Sequence, residues 1–228
     1  MKLTLINRKQ EVENCFSFIF KPENSLSWKA GQFLHYHLDD PKPDERETNR
    51  FFSIAAAPFE ENVMLTTKFM PGDGSTFKQD LQKLSLGQTL EVSGPNGSFI
   101  VEDPEKKYVF IAGGIGITPF RAILLQLNYE QKPINVTLLY ANRNDQIIYQ
   151  NELDVLNLNN PNFQIHYLID PQKVDEQTVR SLVPDLKTPI FYISGPEPMV
   201  QAIETMLEGM GIEKERVKRD YFPGYEGI

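Results

Sequence analysis

A glycine-rich turn is the first feature of this chain that could bind a ligand. The segment Tyr108–Ala112 is apolar and rich in β-branched and aromatic residues, which is typical of a buried strand. The run Gly113–Gly116 follows, where the backbone can turn sharply. Thr118 is a favourable helix N-cap, and Pro119 suits the first helical position. A strand, a glycine turn and a helix N-terminus together predict a phosphate site, although an ordinary βα turn has the same pattern.

The composition restricts the possible functions. The 228 residues include 31 acidic and 23 basic side chains, a formal net charge of -8 that argues against nucleic acid as a partner. Cys15 is the only cysteine, so the chain can build neither an internal disulfide nor a cysteine-ligated iron–sulfur cluster, and a cytoplasmic location is favoured. No apolar run is long enough to cross a bilayer, and the early charged residues do not fit a signal peptide.

Residues 1–101 predict an antiparallel β-barrel. Six short segments of β-forming residues are separated by turn signals, and one short helix is expected between the last two, over Ser75 to Leu84. Closing these strands into a barrel would remove the exposed sheet edges. The predicted strands begin at Leu3, Cys15, Ala30, Arg50, Val63 and Thr89.

Residues 102–228 follow a different pattern, in which strand and helix segments alternate. This alternation predicts a doubly wound parallel sheet, and the charged, proline-containing stretch 101–107 predicts the boundary between two domains. The predicted strands are Tyr108–Ala112, Ile134–Tyr140, Phe163–Ile169, Ile190–Ser194 and Val217–Phe222. The predicted helices are Pro119–Asn128, Tyr149–Leu158, Asp175–Leu182 and one that follows Gly195-Pro196.

Six ordered motifs make the chain resemble the ferredoxin–NADP reductase superfamily, in a stand-alone form without a fused iron–sulfur domain. Arg50-Phe51-Phe52-Ser53 resembles the Arg-x-Tyr-Ser flavin signature, and Gly31-Gln32-Phe33 precedes it as in that family. The run Gly113–Pro119 is similar to the family's nicotinamide-nucleotide loop. The other matches are Thr66-Thr67-Lys68 with Gly72-Asp73-Gly74-Ser75-Thr76, then Ser194-Gly195-Pro196-Glu197-Pro198-Met199, and finally Asp220-Tyr221-Phe222.

The resemblance implies a role for each motif. Arg50 and the backbone at Gly74, Ser75 and Thr76 would hold a flavin phosphate, while Phe52 would present a flat apolar face to the flavin ring. Ser53 would lie near flavin N5, and Asp220 takes the place of the family's glutamate. We therefore expect catalytic roles for Ser53 and Asp220. The expected cofactor-binding residues are Arg50, Phe51, Phe52, Ser53, Thr67, Lys68, Gly74, Ser75, Thr76, Gly113, Gly114, Gly116, Thr118, Arg143, Gly195, Pro196, Met199 and Tyr225.

Several residues depart from the family's pattern or admit two interpretations. Phe52 lacks the hydroxyl of the motif tyrosine, and Ser194 replaces the motif cysteine. Tyr225 could stack on the flavin or simply belong to a packed or disordered tail. Arg143 follows the second parallel strand, where an arginine can pair with the 2′-phosphate of NADPH, but a solvated loop arginine fits equally well. The choice between NADH and NADPH therefore stays open.

The resemblance implies an NAD(P)H-dependent flavoprotein reductase. Hydride would pass from NADH or NADPH to bound FAD, with FMN as a possible substitute, and electrons would then pass to a separate ferredoxin, flavodoxin, cytochrome or oxygenase component. The alternatives are a free-flavin or ferric reductase and a non-turnover flavin subunit of a larger complex. No metal site is predicted, because His35 and His37 share a strand face without an evident third ligand. The oligomeric state is left open.

Overall fold

The computed structural model describes residues 1–39, 48–69 and 75–222 of the chain. These residues form a six-stranded antiparallel sheet followed by a five-stranded parallel sheet, as the motifs and periodicity predict. Among the described residues, no helix is both long and apolar enough to cross a bilayer. The side chain of Phe222, at the end of the last strand, is not described.

The first sheet curls into a barrel in the order β4-β3-β6-β1-β2-β5. The backbone N–H of Ala55, just after β4, donates to the carbonyl oxygen of Met64 on β5 at 2.8 Å, which brings the two outer strands of the sheet together. A helix, α1, crosses between β5 and β6. The bounds are β1 Lys2–Val12, β2 Cys15–Pro22, β3 Phe33–His37, β4 Asn49–Ser53, β5 Val63–Lys68, α1 Thr76–Lys83 and β6 Thr89–Asn96.

Alternating side chains fill the barrel. Leu3 and Leu5 on β1 and Phe18 and Phe20 on β2 are fully buried, as period-2 strands with one core-facing side require. Tyr36 on β3 is also fully buried. This packed interior gives β4, which carries the predicted flavin signature, a rigid support.

The second sheet is parallel throughout and has the order β11-β10-β7-β8-β9. Helices α2 and α3 cover one face and α4 and α5 the other, so each face carries its own apolar cluster. The cluster under α2 and α3 continues into the barrel core, which joins the two halves through one apolar interior. The bounds are β7 Tyr108–Gly113, α2 Ile117–Tyr129, β8 Val136–Asn142, α3 Gln150–Asn159, β9 Phe163–Ile169, α4 Glu176–Leu182, β10 Ile190–Pro196, α5 Glu197–Gly209 and β11 Val217–Phe222.

One helix start differs from the prediction. Thr118 is not the N-cap of α2, because Gly114–Gly116 forms a 3-10 turn that leads directly into the helix and leaves Gly116 at the cap position. Pro119 is therefore the third helical residue, not the first. Gly116 itself has right-handed helical dihedral angles, so the helix begins at Ile117, two residues before the predicted start. Strand β8 begins at Val136, two residues after the predicted Ile134.

Candidate functional site

The carboxyl ends of β7 and β10 form the centre of the candidate site. These two strands are hydrogen-bonded neighbours, although they are far apart in sequence, so the strand order changes direction between them. In open parallel sheets, ligands bind in the crevice outside such a switch point. The glycine turn Gly113–Gly116 leaves β7 at this edge, and Ser194, Gly195 and Pro196 end β10 beside it.

Two of the glycines let these turns approach one another closely. A Cβ atom built on Gly116 would overlap the carbonyl oxygen of Ser194, and one built on Gly113 would overlap the sulfur of Met199. Gly114 is different, because its φ of +51° is in the left-handed region and a Cβ there would meet no described atom within 4 Å. The turn therefore packs tightly on its β10 side and is open at Gly114.

Thr118 supports the turn instead of capping the helix. Its hydroxyl donates to the carbonyl oxygen of Ile115 at 3.1 Å, and the residue is buried. The phenol of Tyr140 on β8 donates to the carbonyl oxygen of Gly114 at 3.1 Å. Both hydroxyl groups donate to carbonyl oxygens of the turn and use none of its backbone N–H groups. Those N–H groups therefore remain the natural donors for an anion.

A hydrogen bond joins the barrel to the last strand of the parallel sheet. The hydroxyl of Ser53, at the end of β4, donates to Oδ2 of Asp220 on β11 at 3.2 Å. Burial raises the pKa of the Asp220 carboxyl from 3.8 to about 6, and the Ser53 hydrogen bond lowers it only partly. The two residues predicted to be catalytic therefore lie together, and the carboxyl can hold or release a proton near neutral pH.

Two buried hydroxyls of the predicted motifs have no hydrogen-bond partner among the described residues. They are Oγ of Ser194 on β10 and Oγ1 of Thr67 on β5, and both residues are 0% exposed. Ser194 pairs in register with Ala112 of β7 on one side and with Asp220 of β11 on the other. An unsatisfied buried hydroxyl is rare in a folded protein, and a ligand group is one ordinary reason for it.

The side chains of the predicted flavin signature on β4 alternate between the barrel interior and the outer face of the sheet. Arg50 and Phe52 pair with Tyr36 and Leu34 of β3 and point toward the barrel interior, where Phe52 packs edge-on to Tyr36 with ring centroids 5.6 Å apart. Phe51 points the opposite way and is 60% exposed. Ser53 shares the Phe51 side, because side chains two apart on a strand lie on one face.

Arg50 is held near the start of α1. Its guanidinium lies 5.8 Å from the ring centre of Phe77, and its Nη1 donates to the carbonyl oxygen of Asn49. Ser75 is the N-cap of α1, since its hydroxyl accepts from the N–H of Lys78 at 3.3 Å. Thr76 opens the helix, and Lys68 ends β5 nearby with its carbonyl oxygen bound by the Lys78 ammonium at 2.8 Å. A cation and a helix N-terminus therefore adjoin the barrel wall.

The remaining predicted residues differ in how close they lie to this edge. Arg143 is exposed and lies one residue beyond β8. Gly74 and Tyr225 lie outside the described residues, so their predicted contacts stay predictions. Pro196 precedes α5, and Met199 in its first turn packs against Gly113 and Gly195.

The histidine pair has ordinary strand contacts. His35 stacks on Phe51 with centroids 4.3 Å apart, and His37 is within hydrogen-bond distance of Asn49 and Asp39 at 3.0 Å. Within the described parts of the chain, no group of three or more His, Cys, Asp or Glu side chains is arranged to hold a metal ion.

Sequence reasoning missed a buried ionic cluster beside the site. Arg121 on α2 is 6% exposed and forms ion pairs with Glu60 of the barrel domain and Glu152 of α3. The available signal was an arginine inside the apolar run Phe120–Leu124, where a charge needs buried partners. The partners themselves are 61 and 31 residues away in sequence.

The site's donor set fits FAD and a nicotinamide nucleotide. Arg50 and the start of α1 suit a flavin phosphate, while the open Gly114 side of the glycine turn suits a pyrophosphate. The buried hydroxyl of Thr67 lies on β5 of the barrel, and that of Ser194 lies on β10 of the parallel sheet. The barrel thus carries polar groups that suit FAD, and the adjoining parallel sheet carries polar groups that suit a nicotinamide nucleotide.

Comparison with known proteins identifies the two halves. A family model described as the oxidoreductase FAD-binding domain matches residues 2–100, and one described as the oxidoreductase NAD-binding domain matches residues 110–205. The predicted boundary between residues 101 and 102 stays a prediction.

Individual relatives agree with these matches. The chain is 34% identical over 91% of its length to a Pseudomonas paraeruginosa protein named as a subunit of the Na(+)-translocating NADH-quinone reductase, and it spans 56% of that relative's length. In structure it resembles the cytochrome b5 reductase domain of Ulva prolifera nitrate reductase, with a TM-score of 0.82, 24% identity and 96% coverage of both chains. It also resembles the Amycolatopsis cytochrome P450 reductase GcoB, with a TM-score of 0.81, 20% identity and coverage of 97% of this chain and 70% of the other.

Proposed function

Because the chain belongs to the oxidoreductases that join an FAD-binding to an NAD-binding domain, with the fold of the ferredoxin–NADP reductase family, we propose that it is a reductase that delivers electrons from NADH or NADPH to a separate acceptor protein. Its cofactor is FAD and its electron donor a nicotinamide nucleotide. The observation that carries the proposal is the Ser53–Asp220 hydrogen bond, since it joins the flavin-signature strand to β11 of the parallel sheet, one strand away from the switch point between β7 and β10.

The proposed mechanism assigns each residue a binding or proton-holding task. FAD, when bound, supplies the chemistry that accepts a hydride and releases electrons one at a time. Arg50 and the N-terminus of α1 would bind its phosphates, and the Gly113–Gly116 turn would bind the pyrophosphate of the nucleotide. These contacts would orient both ligands before reaction, which removes much of the entropic barrier to a bimolecular transfer.

Ser53 and Asp220 would control a proton beside the reacting ring. The Asp220 pKa of about 6 means that its carboxyl is present in both protonation states close to neutral pH. The Ser53 hydroxyl donates to this carboxyl and can turn to donate elsewhere when the carboxyl is protonated. The pair could therefore hold or release a proton next to the flavin ring, where charge would develop during the reaction.

One structural neighbour favours a protein acceptor over a small one. The curated relative is named as one subunit of an NADH-quinone reductase, and one structural neighbour is named as a cytochrome P450 reductase. The first name describes a reductase that is part of a complex, and the second describes a reductase whose acceptor is a protein, cytochrome P450. This chain, with one cysteine, cannot form a cysteine-ligated cluster by itself. The first relative also supports a second candidate function, a flavin-binding subunit of a larger complex.

Turnover with different acceptors separates these functions. FAD-loaded protein is mixed with NADH or NADPH and then with a ferredoxin, a flavodoxin, a cytochrome, free FMN or a ferric chelate. We expect reduction by one nucleotide and oxidation at least tenfold faster by one of the protein acceptors than by free FMN. Equal or faster turnover with free FMN or the chelate would instead identify a small-molecule reductase. Flavin that is reduced but has no competent acceptor would favour the second candidate function.

A further inference from the structure

The buried guanidinium of Arg121 connects the two halves of the protein. Its five N–H groups make five hydrogen bonds: both carboxylate oxygens of Glu152 accept, at 2.6 and 2.8 Å, both oxygens of Glu60 accept, at 2.8 and 3.0 Å, and the Ala55 carbonyl oxygen accepts at 2.8 Å. This uses the full donor capacity of an arginine. Glu60 and Ala55 belong to the barrel domain, whereas Arg121 and Glu152 belong to α2 and α3.

The barrel partners of Arg121 lie on the segment that directly follows Ser53. Ala55 is two residues beyond Ser53, and its N–H bonds to β5 while its carbonyl bonds to Arg121. Oε2 of Glu60 also accepts from the N–H of Ala57 at 2.6 Å, which fixes the same segment from within. Helix α2, which carries Arg121, begins at the glycine turn. Arg121 thus joins the flavin-signature strand to the nucleotide turn by a short path.

A second set of contacts reinforces the first. The Arg121 guanidinium lies 5.1 Å from the ring centre of Tyr149, the residue before α3, and the Tyr149 phenol donates to Oγ1 of Thr66 on β5 at 2.6 Å. Thr66 in turn contacts Ser17 at 2.7 Å, and Ser17 donates to Glu11 at 2.7 Å. Tyr149 has a φ of 62°, which a side-chain-bearing residue rarely adopts without strong surrounding contacts. The chain of hydroxyls therefore fixes α3 on the barrel.

We propose that Arg121 is a positioning residue for hydride transfer, because its bonds to Glu60, Ala55 and Glu152 set the distance and angle between the flavin and nucleotide sites. The inference rests on the proposed reductase function. Buried ion pairs add little net stability compared with apolar packing, but they demand one geometry. Arginine suits this task because its planar, forked donors fix two carboxylates at once. Small errors in the separation of reacting groups slow a reaction strongly.

The test compares Arg121→Lys with Arg180→Lys. Lysine keeps the charge but cannot bond two carboxylates and a carbonyl in this geometry, whereas Arg180 is an exposed partner of Glu176 on α4 and serves as the matched control. We expect Arg121→Lys to retain wild-type FAD content and to reduce the rate of flavin reduction at saturating nucleotide at least tenfold. Arg180→Lys should remain within twofold of wild type.

A structural measurement tests the same claim without nucleotide or flavin. Spin labels at Leu86→Cys in the barrel and Leu158→Cys in the parallel-sheet half, both exposed positions, report the distance between the halves. The native Cys15 is buried and should therefore not take up the label. We expect a broader distance distribution in Arg121→Lys than in wild type or Arg180→Lys. If Arg121→Lys fails to fold, Glu60→Gln provides the second variant, with an expected threefold or larger loss of rate and the same broadening.

The outcomes distinguish the two proposals. Wild-type protein that binds FAD but is not reduced by either nucleotide would end the reductase proposal, and the distance distributions would still decide whether Arg121 orients the halves. Variants that fold, reduce FAD at the wild-type rate and keep the wild-type distance distribution would overturn the positioning role, even if their melting temperature is lower.

Discussion

At the scale of single residues, Asp220 has the property that pH can test most directly. Its pKa in the folded protein is raised from 3.8 to about 6 by burial, so the folded protein binds its proton more tightly than the unfolded chain does. Stability contributed by this group is therefore full below about pH 4 and is lost as pH rises toward 6. Asp220→Asn removes this loss. We expect the variant to gain stability relative to wild type as pH rises from about 4 to about 6, as measured by urea unfolding.

An aspartate with the opposite shift provides the control. Asp175 is the N-cap of α4, and the N–H and hydroxyl of Thr178 lower its pKa. Its contribution is present above its ordinary pKa and is lost as pH falls, so Asp175→Asn should show no relative gain between about pH 4 and 6. A stability difference between Asp220→Asn and wild type that is constant over this range would mean that the Asp220 carboxyl is not shifted.

At the scale of elements, the contact between the β7 and β10 turns depends on Gly116. Its backbone is in the ordinary helical region, so alanine would be strained only by the overlap of its Cβ with the Ser194 carbonyl oxygen. Gly116→Ala should therefore force the turns apart and destabilise the protein by about 1–3 kcal/mol, the usual cost of overpacking. Urea unfolding measures the loss, and weaker nucleotide binding should accompany it.

Gly209 in α5 is the matched control for this substitution. A Cβ there meets no atom of the described chain within 4 Å, and the left-handed position after the helix is taken by Gly211, with φ +83°. Gly209→Ala should stabilise the protein by about 0.5 kcal/mol, because alanine loses less backbone freedom on folding. Two glycine-to-alanine changes with opposite signs would support steric packing at the switch point. Equal and small effects would contradict it.

The sequence predicted these elements well, but not all of their contacts. Strand and helix periodicities are local, so the six barrel strands, the parallel strands and the short helix after Ser75 could be predicted directly. The predicted start of α2 was wrong because the 3-10 turn Gly114–Gly116 runs directly into the helix, and Thr118 then bonds to Ile115 instead of capping. The Arg121 cluster could not be predicted, because its partners are distant in sequence and only the packing of α2 on the barrel brings them together.

At the scale of the whole molecule, the two proposed binding surfaces share one edge. The barrel carries the predicted flavin signature, the parallel sheet carries the predicted nucleotide turn, and the Ser53–Asp220 and Arg121–Glu60 contacts bridge the two halves. The apolar cluster that runs from the barrel into α2 and α3 gives this arrangement a common interior. Such an arrangement suits a reaction whose two ligands must meet face to face, since binding each one on its own half fixes their relative orientation.

Anaerobic stopped-flow mixing of the FAD-loaded protein with each nucleotide tests this arrangement most directly. We expect NADH or NADPH to bleach the flavin absorbance in one exponential phase, and deuterium at the transferred position to slow this phase. Arg50→Ala, which should lose FAD on gel filtration, serves as the blank for free flavin. Protein that retains FAD yet keeps it oxidised with both nucleotides would contradict the proposed transfer between the two ligands.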